Sequence, residues 1–456
     1  MLALPLAITW FFALFLVRLD GRRAWVDGVG IAGLSAALIA TLWLATAVWT
    51  QGPVEMITGG WPAEIGIRLR ADALGVTFAL LANGLLLLAL VYESFGEVQE
   101  RTFPAVMLFL ATGLNGLFLT GDAFNFYVFF EVSMTASFVL TSYGHGKREI
   151  RDALLFTVVN LLGSVLFLGA VVGLYRLTGT LDMRGIAIWA DAAEPTSVIL
   201  IATLIFVAFG VKLGLFPFHF WLPAVYQGVQ PVIAAVLSGV LANIGSYGLL
   251  RFGAGVLTRE VRFGATMLLI LGVASVVYGA LLAISRRTAN EVLAYSSISQ
   301  AGYILVAIAV GGPVGYAAAV LFAVVNALNK TLLFLVTGVR GWLVGAAFVI
   351  GAFSVAGVPP AVGFFGKAAL FHTGIEAQSS LLVAFIFLGG ALAFIYMFQI
   401  YQREFWAQPE TQEKESPLAR RIVVLGLSGF VLLLGLWPEP LLAVSQQAAA
   451  LLQGGP

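Results

Sequence analysis

Four ionisable side chains stand inside long apolar runs. They are Glu131 in "NFYVFFEVSMTASFVL", Lys212 in "GVKLGLFPFHFWLP", Lys330 in "VVNALNKTLLFLVTG" and Lys367 after "GVPPAVGFFG". Burying one such charge at mid-bilayer costs about 2.5–3.5 kcal/mol on insertion scales, so a chain that keeps four has a use for them. Glu131 is about nine residues into its helix, or ~13 Å deep at 1.5 Å per residue. A lysine loses proton affinity when desolvated and regains it beside a carboxylate. A pair between Glu131 and Lys212 is therefore expected, with its opening as the proton-releasing step. One carboxylate cannot neutralise three ammonium groups, so the set reads as a proton or ion path. The competing use is a plain Glu–Lys lock between two helices.

Helix breakers accompany two of the lysines. Gly214 and Pro217 follow Lys212; Gly357, Pro359, Pro360, Gly363 and Gly366 precede Lys367. In a bilayer the backbone groups freed at such breaks must be satisfied by protein or water. Two interrupted helices in corresponding halves are the sequence sign of an inverted-repeat transporter with mid-depth ion sites; two ordinary kinks are the alternative. Asn326, Asn329 and Thr331 surround Lys330 in sequence and could hold water beside it, or could join helices by hydrogen bonds. His219 follows the first break and is either a proton relay at a channel mouth or a satisfied interfacial histidine. The polar stretch "YSSISQAGY", 295–303, reads as packing rather than path. "GVGIAG", 28–33, matches a dinucleotide fingerprint in letters only: no strand precedes it and a transmembrane run surrounds it.

The elements that hold these residues are membrane spans. The chain of 456 residues is 60% hydrophobic and 10% charged, against roughly 45–50% and ~25% for soluble domains, and its mean hydropathy is +0.99. About 14 runs reach the length that crosses a ~30 Å hydrocarbon core. They lie near 1–17, 29–49, 73–92, 103–120, 123–142, 153–174, 196–217, 231–250, 264–284, 297–311, 315–337, 344–373, 380–401 and 422–447, the twelfth broken at "GVPP". The first run lacks a basic flank and a small-residue cleavage site, and reads as a retained helix rather than a signal peptide. With no cysteine, cysteine-ligated iron–sulfur clusters, thiol catalysis and disulfides are excluded. His145, His219 and His372 have no metal-ligand spacing. A net charge of +1 offers no face for nucleic acid. No metal or cofactor site is expected.

Basic residues sort by side. Loops holding "RLDGRR", Arg101, "KREIR", "RR" at 286–287, Arg340 and "QREFWAQPETQEKESPLARR" carry 14 of them. The opposite loops carry seven: Arg68, Arg70, Arg176, Arg184, Arg251, Arg259 and Arg262. Positive residues favour the cytoplasm, so both termini are expected outside a cell (inner) membrane. The remaining three of the 24 lysines and arginines are Lys212, Lys330 and Lys367, and the chain has only five lysines.

"FNFYVFFEVSMTASFVLTSYG", "GVKLGLFPFHFWLPAVY", "NKTLLFLVTG" and "GVPPAVGFFGK", in that order, resemble the antiporter-like subunits of Mrp-type cation/proton antiporters, respiratory complex I and membrane-bound hydrogenases. "NFYVFFE" and the chain length are nearest the Mrp D subunit. The resemblance implies an all-α protein with 14 transmembrane helices. Residues 1–102 would form helices 1–3, 103–250 a first five-helix repeat, 251–401 a second, inverted one, and 402–456 a cytoplasmic loop and final helix. Helices 7 and 12 would be broken. Glu131, Lys212, Lys330 and Lys367 would match the ionisable residues of helices 5, 7, 11 and 12 and line a hydrated proton path. Asn243 stands where relatives usually carry lysine or histidine, which weakens the case for a continuous relay between Lys212 and Lys330: either water bridges the gap, or the subunit couples differently or less strongly. The implied function is that of a proton-translocating subunit of a multi-subunit Na⁺ (monovalent cation)/H⁺ antiporter, a transporter component rather than an enzyme. The rival is a proton-pumping membrane subunit of a complex I-like or hydrogenase-type oxidoreductase, or of an inorganic-carbon uptake complex.

Overall fold

The computed structural model describes residues 1–61, 66–96, 100–143, 146–192, 194–341, 343–406 and 415–453. His145 and Lys414 fall outside them. Most of the chain is helical, as a backbone without water to bond must be. The strands among the described residues are one short antiparallel pair, Val54–Ile57 with Arg68–Ala71. Eleven of the described helices are long and apolar enough to cross a membrane, and three shorter apolar helices are Leu4–Leu16, Phe103–Phe118 and Val344–Ala356.

Local chemistry sets the helix ends. Pro5, Pro104, Pro231 and Pro313 occupy first-turn positions, where the missing N–H has no intrahelical acceptor anyway. Asp72 accepts from the Gly75 amide at 2.9 Å and Asp122 from the Asn125 amide at 2.7 Å, each satisfying one orphan donor of a helix start.

Packing separates a centre from a rim. The spans Pro231–Ala254 and Gly312–Thr337 are 94% buried over their apolar windows, whereas Ser380–Trp406 and Leu418–Leu436 are 33% buried. The former are enclosed by the rest of the chain, while the latter leave much of their apolar surface uncovered by it. Helices Ala265–Ser285 and Ala289–Val310 meet at backbone distance: a β-carbon on Gly302 would lie 2.8 Å from the Val276 nitrogen. Small residues allow that approach where lipid provides no hydrophobic drive.

Several expected limits change, the runs expected from 29 and 153 beginning at Ala24 and Lys147. The run expected at 297–311 begins at Ala289, because its first two turns carry polar residues that a hydropathy reading discounts. The helix instead starts on a capping box, Thr288 with Glu291. The run expected at 422–447 is two helices, Leu418–Leu436 and Glu439–Gln453. Trp437 has φ −134°, ψ 76° because the following Pro438 pushes it out of the helical region. The run at 196–217 stops as a helix at Leu213 and resumes after a 3-10 turn, Phe218–Trp221. Span Pro231–Ala254 contains two π-helical turns, Leu237–Leu241 and Leu249–Ala254, with Asn243 between them.

Candidate functional site

The helix Pro195–Leu213 ends because Gly214 adopts φ +69°, a left-handed conformation that a β-carbon disfavours. Lys212 thereby sits in the last turn, where the helix dipole favours a cation. Two neighbours serve the backbone around the break: the Trp221 indole donates to the Val211 carbonyl at 3.0 Å, and the Phe216 amide donates to Ser275 Oγ at 3.0 Å. The second break is built alike. Helix Val344–Ala356 ends at Gly357, φ +84°, and Gly363, which opens the next helix, donates its amide to Ser354 Oγ at 2.9 Å. The bonds Phe216–Pro217 and Pro359–Pro360 are cis.

Lys212 is 5% exposed. Its Nζ donates to the Asn160 carbonyl at 3.1 Å and stands 4.4 Å from the Phe130 ring centre. No hydrogen bond or ion pair joins it to Glu131 among the described residues, so the expected direct pair is not formed. Glu131 Oε1 is buried and has no hydrogen-bond partner among the described residues. The lysine stem reaches instead to helix Lys147–Thr178, where a carbonyl faces it. His219 is buried against Phe216 and Tyr278, with ring centres 5.7 and 4.6 Å away, and its Nδ1 has no hydrogen-bond partner among the described residues.

Lys330 is fully buried. Its Nζ donates to Ser296 Oγ at 2.7 Å and to the Leu293 carbonyl at 3.3 Å. The stretch 295–303, expected to be packing only, thus supplies a direct partner of this lysine. Asn326 Oδ1, Asn329 Oδ1 and Thr331 Oγ1 are buried without hydrogen-bond partners among the described residues. Thr331 Oγ1 presses against Gly239, whose carbonyl accepts from Asn243 Nδ2 at 2.8 Å. Asn243 and the Lys330 helix therefore meet at one π-helical turn.

Lys367 is 4% exposed, its stem packed on Gly357. Its Nζ has no hydrogen-bond partner among the described residues and lies 3.2 Å from the centre of the Tyr303 ring and 5.4 Å from that of Phe322. A desolvated cation–π contact of this kind is worth about 2 kcal/mol. A cavity of about 250 Å³ opens beside it, lined by Gly357, Lys367, Ile386, Phe387 and Phe394 among others. Among the described residues none of the three lysines makes an ion pair, and no group of three or more acids or histidines gathers that could hold a metal.

One buried charge pair escaped the sequence reading, which counted Arg251 as a loop residue. Arg251 donates to both carboxylate oxygens of Asp72 at 2.7 Å, and also to Tyr247 Oη, which in turn donates to the Phe118 carbonyl at 3.0 Å. Burial pushes the Asp72 carboxyl up, but Arg251, with Arg70 and the Gly75 amide, outweighs it and holds the group at about 2. Its sequence signal was an arginine near the end of an otherwise uncharged helix, "YGLLRFGAG".

Residues 120–342 match the family model described as NADH:quinone oxidoreductase/Mrp antiporter, transmembrane. The chain is 31% identical over 471 residues to the D subunit of the Na(+)/H(+) antiporter of Alkalihalophilus pseudofirmus, covering 98% of this chain and 95% of that protein. It is 31% identical over 436 residues to the protein of the same description in Bacillus subtilis, covering 91% and 86%. A chain of the Mrp complex from a Dietzia species superposes with TM-score 0.90 at 26% identity, over 99% of this chain and 98% of that one. A chain of an archaeal membrane-bound sulfane sulfur reductase gives 0.89 at 24%, over 99% and 96%, and shares the fold. A near-full-length match at this identity leaves one placement: the chain belongs to the family of Na⁺/H⁺ antiporter D subunits.

Proposed function

We propose that this chain is the proton-translocating subunit of a multi-subunit Mrp-type antiporter, exchanging protons for Na⁺ or a similar monovalent cation. It is a transporter component, and any redox activity would belong to partners. The observation that carries this is the set of three buried lysines that have no carboxylate partner among the described residues, together with Glu131 Oε1, Asn326 Oδ1, Asn329 Oδ1 and Thr331 Oγ1, which have no hydrogen-bond partner among them. Each unpartnered buried polar atom costs about 1–3 kcal/mol, and hydration along a path offsets that cost.

On this reading Glu131, Lys212, Lys330 and Lys367 exchange protons in sequence. Asn243 holds water where it cannot hold a proton, and His219 serves the mouth nearest the first break. Fourteen spans follow if the three shorter apolar helices also cross. The matching breaks near Lys212 and Lys367 support two inverted repeats over 103–250 and 251–401, flanked by 1–102 and 402–456. The basic-residue bias supports both termini outside, which cysteine labelling at each end from either side would test.

The functional test uses the whole complex in vesicles with an imposed Na⁺ gradient and a lumenal pH dye. Wild type is expected to move protons against Na⁺, and Lys212→Ala to lose that exchange. Exchange at the wild-type rate in Lys212→Ala would overturn the reading.

A further inference from the structure

We propose that Ser296 and Tyr396 form a hydroxyl relay through which Lys330 passes its proton towards Lys367. This rests on the reading of both lysines as proton sites. Two groups accept hydrogen bonds from Lys330 Nζ, the Leu293 carbonyl at 3.3 Å and Ser296 Oγ at 2.7 Å. A carbonyl has no proton to hand on. A hydroxyl can take one proton and release another. Ser296 Oγ lies 3.0 Å from Tyr396 Oη, and Gln300 Nε2 donates to that same oxygen at 3.4 Å.

The row continues on one helix face. Ser296, Gln300 and Tyr303 fall at i, i+4 and i+7 of Ala289–Val310, so they stack along one side. Tyr303 is the ring on which Lys367 Nζ sits. Ser296, Tyr303 and Tyr396 are fully buried and Gln300 is 2% exposed. One helix face therefore carries the hydroxyl that contacts the first lysine and the ring that seats the second. The Tyr303 hydroxyl donates to the Ile386 carbonyl at 3.3 Å, so its ring seats Lys367 and its hydroxyl stays outside the relay.

The step balances. Protonated Lys330 gives one proton from Nζ to Ser296 Oγ. The hydrogen of Ser296 moves to Tyr396 Oη, and the phenolic hydrogen leaves to a water, which carries it towards the neutral amine of Lys367. Lys330 ends neutral, both hydroxyls are restored, and one positive charge has moved. Rotation of the two hydroxyls resets the chain. Gln300 fixes the phenol by donating to its oxygen, which leaves the phenolic hydrogen free to depart.

The test compares four variants in the reconstituted complex: Tyr396→Phe, Ser296→Ala, Ser296→Thr and Lys330→Ala. Tyr396→Phe and Ser296→Ala are each expected to lower Na⁺-driven proton exchange about tenfold or more. Combining them should add little, because they interrupt one series. Ser296→Thr keeps the hydroxyl and should retain most of the rate. Melting temperatures should match wild type, separating a lost hydroxyl from lost packing. Wild-type exchange in both Tyr396→Phe and Ser296→Ala, with Lys330→Ala inactive, would overturn the relay and leave the lysine path standing. Wild-type exchange in Lys330→Ala as well would overturn both.

Discussion

Two regions of this molecule bury charge in opposite ways. At one end, Asp72 and Arg251 share two hydrogen bonds of 2.7 Å, with Tyr247 and Arg70 closing the remaining sides. Each charge there has an opposite charge in contact, so both are fixed. Along the middle, Lys212, Lys330 and Lys367 touch neutral groups: a carbonyl, a serine hydroxyl, a tyrosine ring. A neutral partner stabilises an ammonium without committing it, because little is lost when the proton leaves. Paired charge holds helices together, and unpaired charge in the same medium is poised to titrate.

The largest effect should come from breaking the paired region. Asp72→Ala leaves Arg251 buried alone and should lower stability by about 3–5 kcal/mol, seen as a drop in melting temperature, with exchange per folded complex near wild type. Loss of exchange at unchanged stability would erase the contrast. The same pair has a pH signature. The Asp72 carboxyl is depressed from 3.8 to about 2, so its contribution, about 2–3 kcal/mol, is complete above roughly pH 5 and is lost as pH falls through about 2. Denaturation across pH 5 to 2 should show that slope in wild type, and Asp72→Asn should flatten it.

Lys330→Met should do the reverse of Asp72→Ala. Removing an unpaired buried ammonium relieves its desolvation, so stability should hold or rise, while exchange falls about 100-fold. A lower melting temperature would make Lys330 a structural residue after all. The smallest of these effects is expected for Glu131→Gln. Glu131 makes no direct bond to Lys212 among the described residues, so exchange should fall only about tenfold, as loss of a through-space interaction of about 1–2 kcal/mol would give. A loss as deep as that of Lys330→Met would mean that the two side chains pair directly during turnover.

Much of this was legible in the sequence, and for stated reasons. Apolar runs marked the spans, and glycine with proline next to lysine marked the places where Gly214 and Gly357 turn the chain at positive φ. Where each lysine points was not legible. A flexible four-carbon stem chooses among neighbours that only tertiary packing supplies: Asn160 lies 52 residues from Lys212 and Asp72 lies 179 from Arg251. The stretch 295–303 looked like packing because serine and glutamine bridge helices more often than they serve a charge. Its meeting with Lys330 needed the fold. The split at Trp437 was readable in principle from Pro438, but the flanking apolar residues hid it.

Hydroxyl-radical footprinting of the transporting complex tests the contrast most directly, since it marks side chains that water reaches. Tyr303 and Tyr396, beside the lysines, and Tyr247, beside Arg251, are all fully buried by protein, so exposure to bulk solvent does not separate them. Labelling of Tyr303 and Tyr396 with Tyr247 left unmarked is the expected result. Tyr303 and Tyr396 as unreactive as Tyr247, in a complex that exchanges ions, would mean a dry lysine row and would contradict a hydrated proton path.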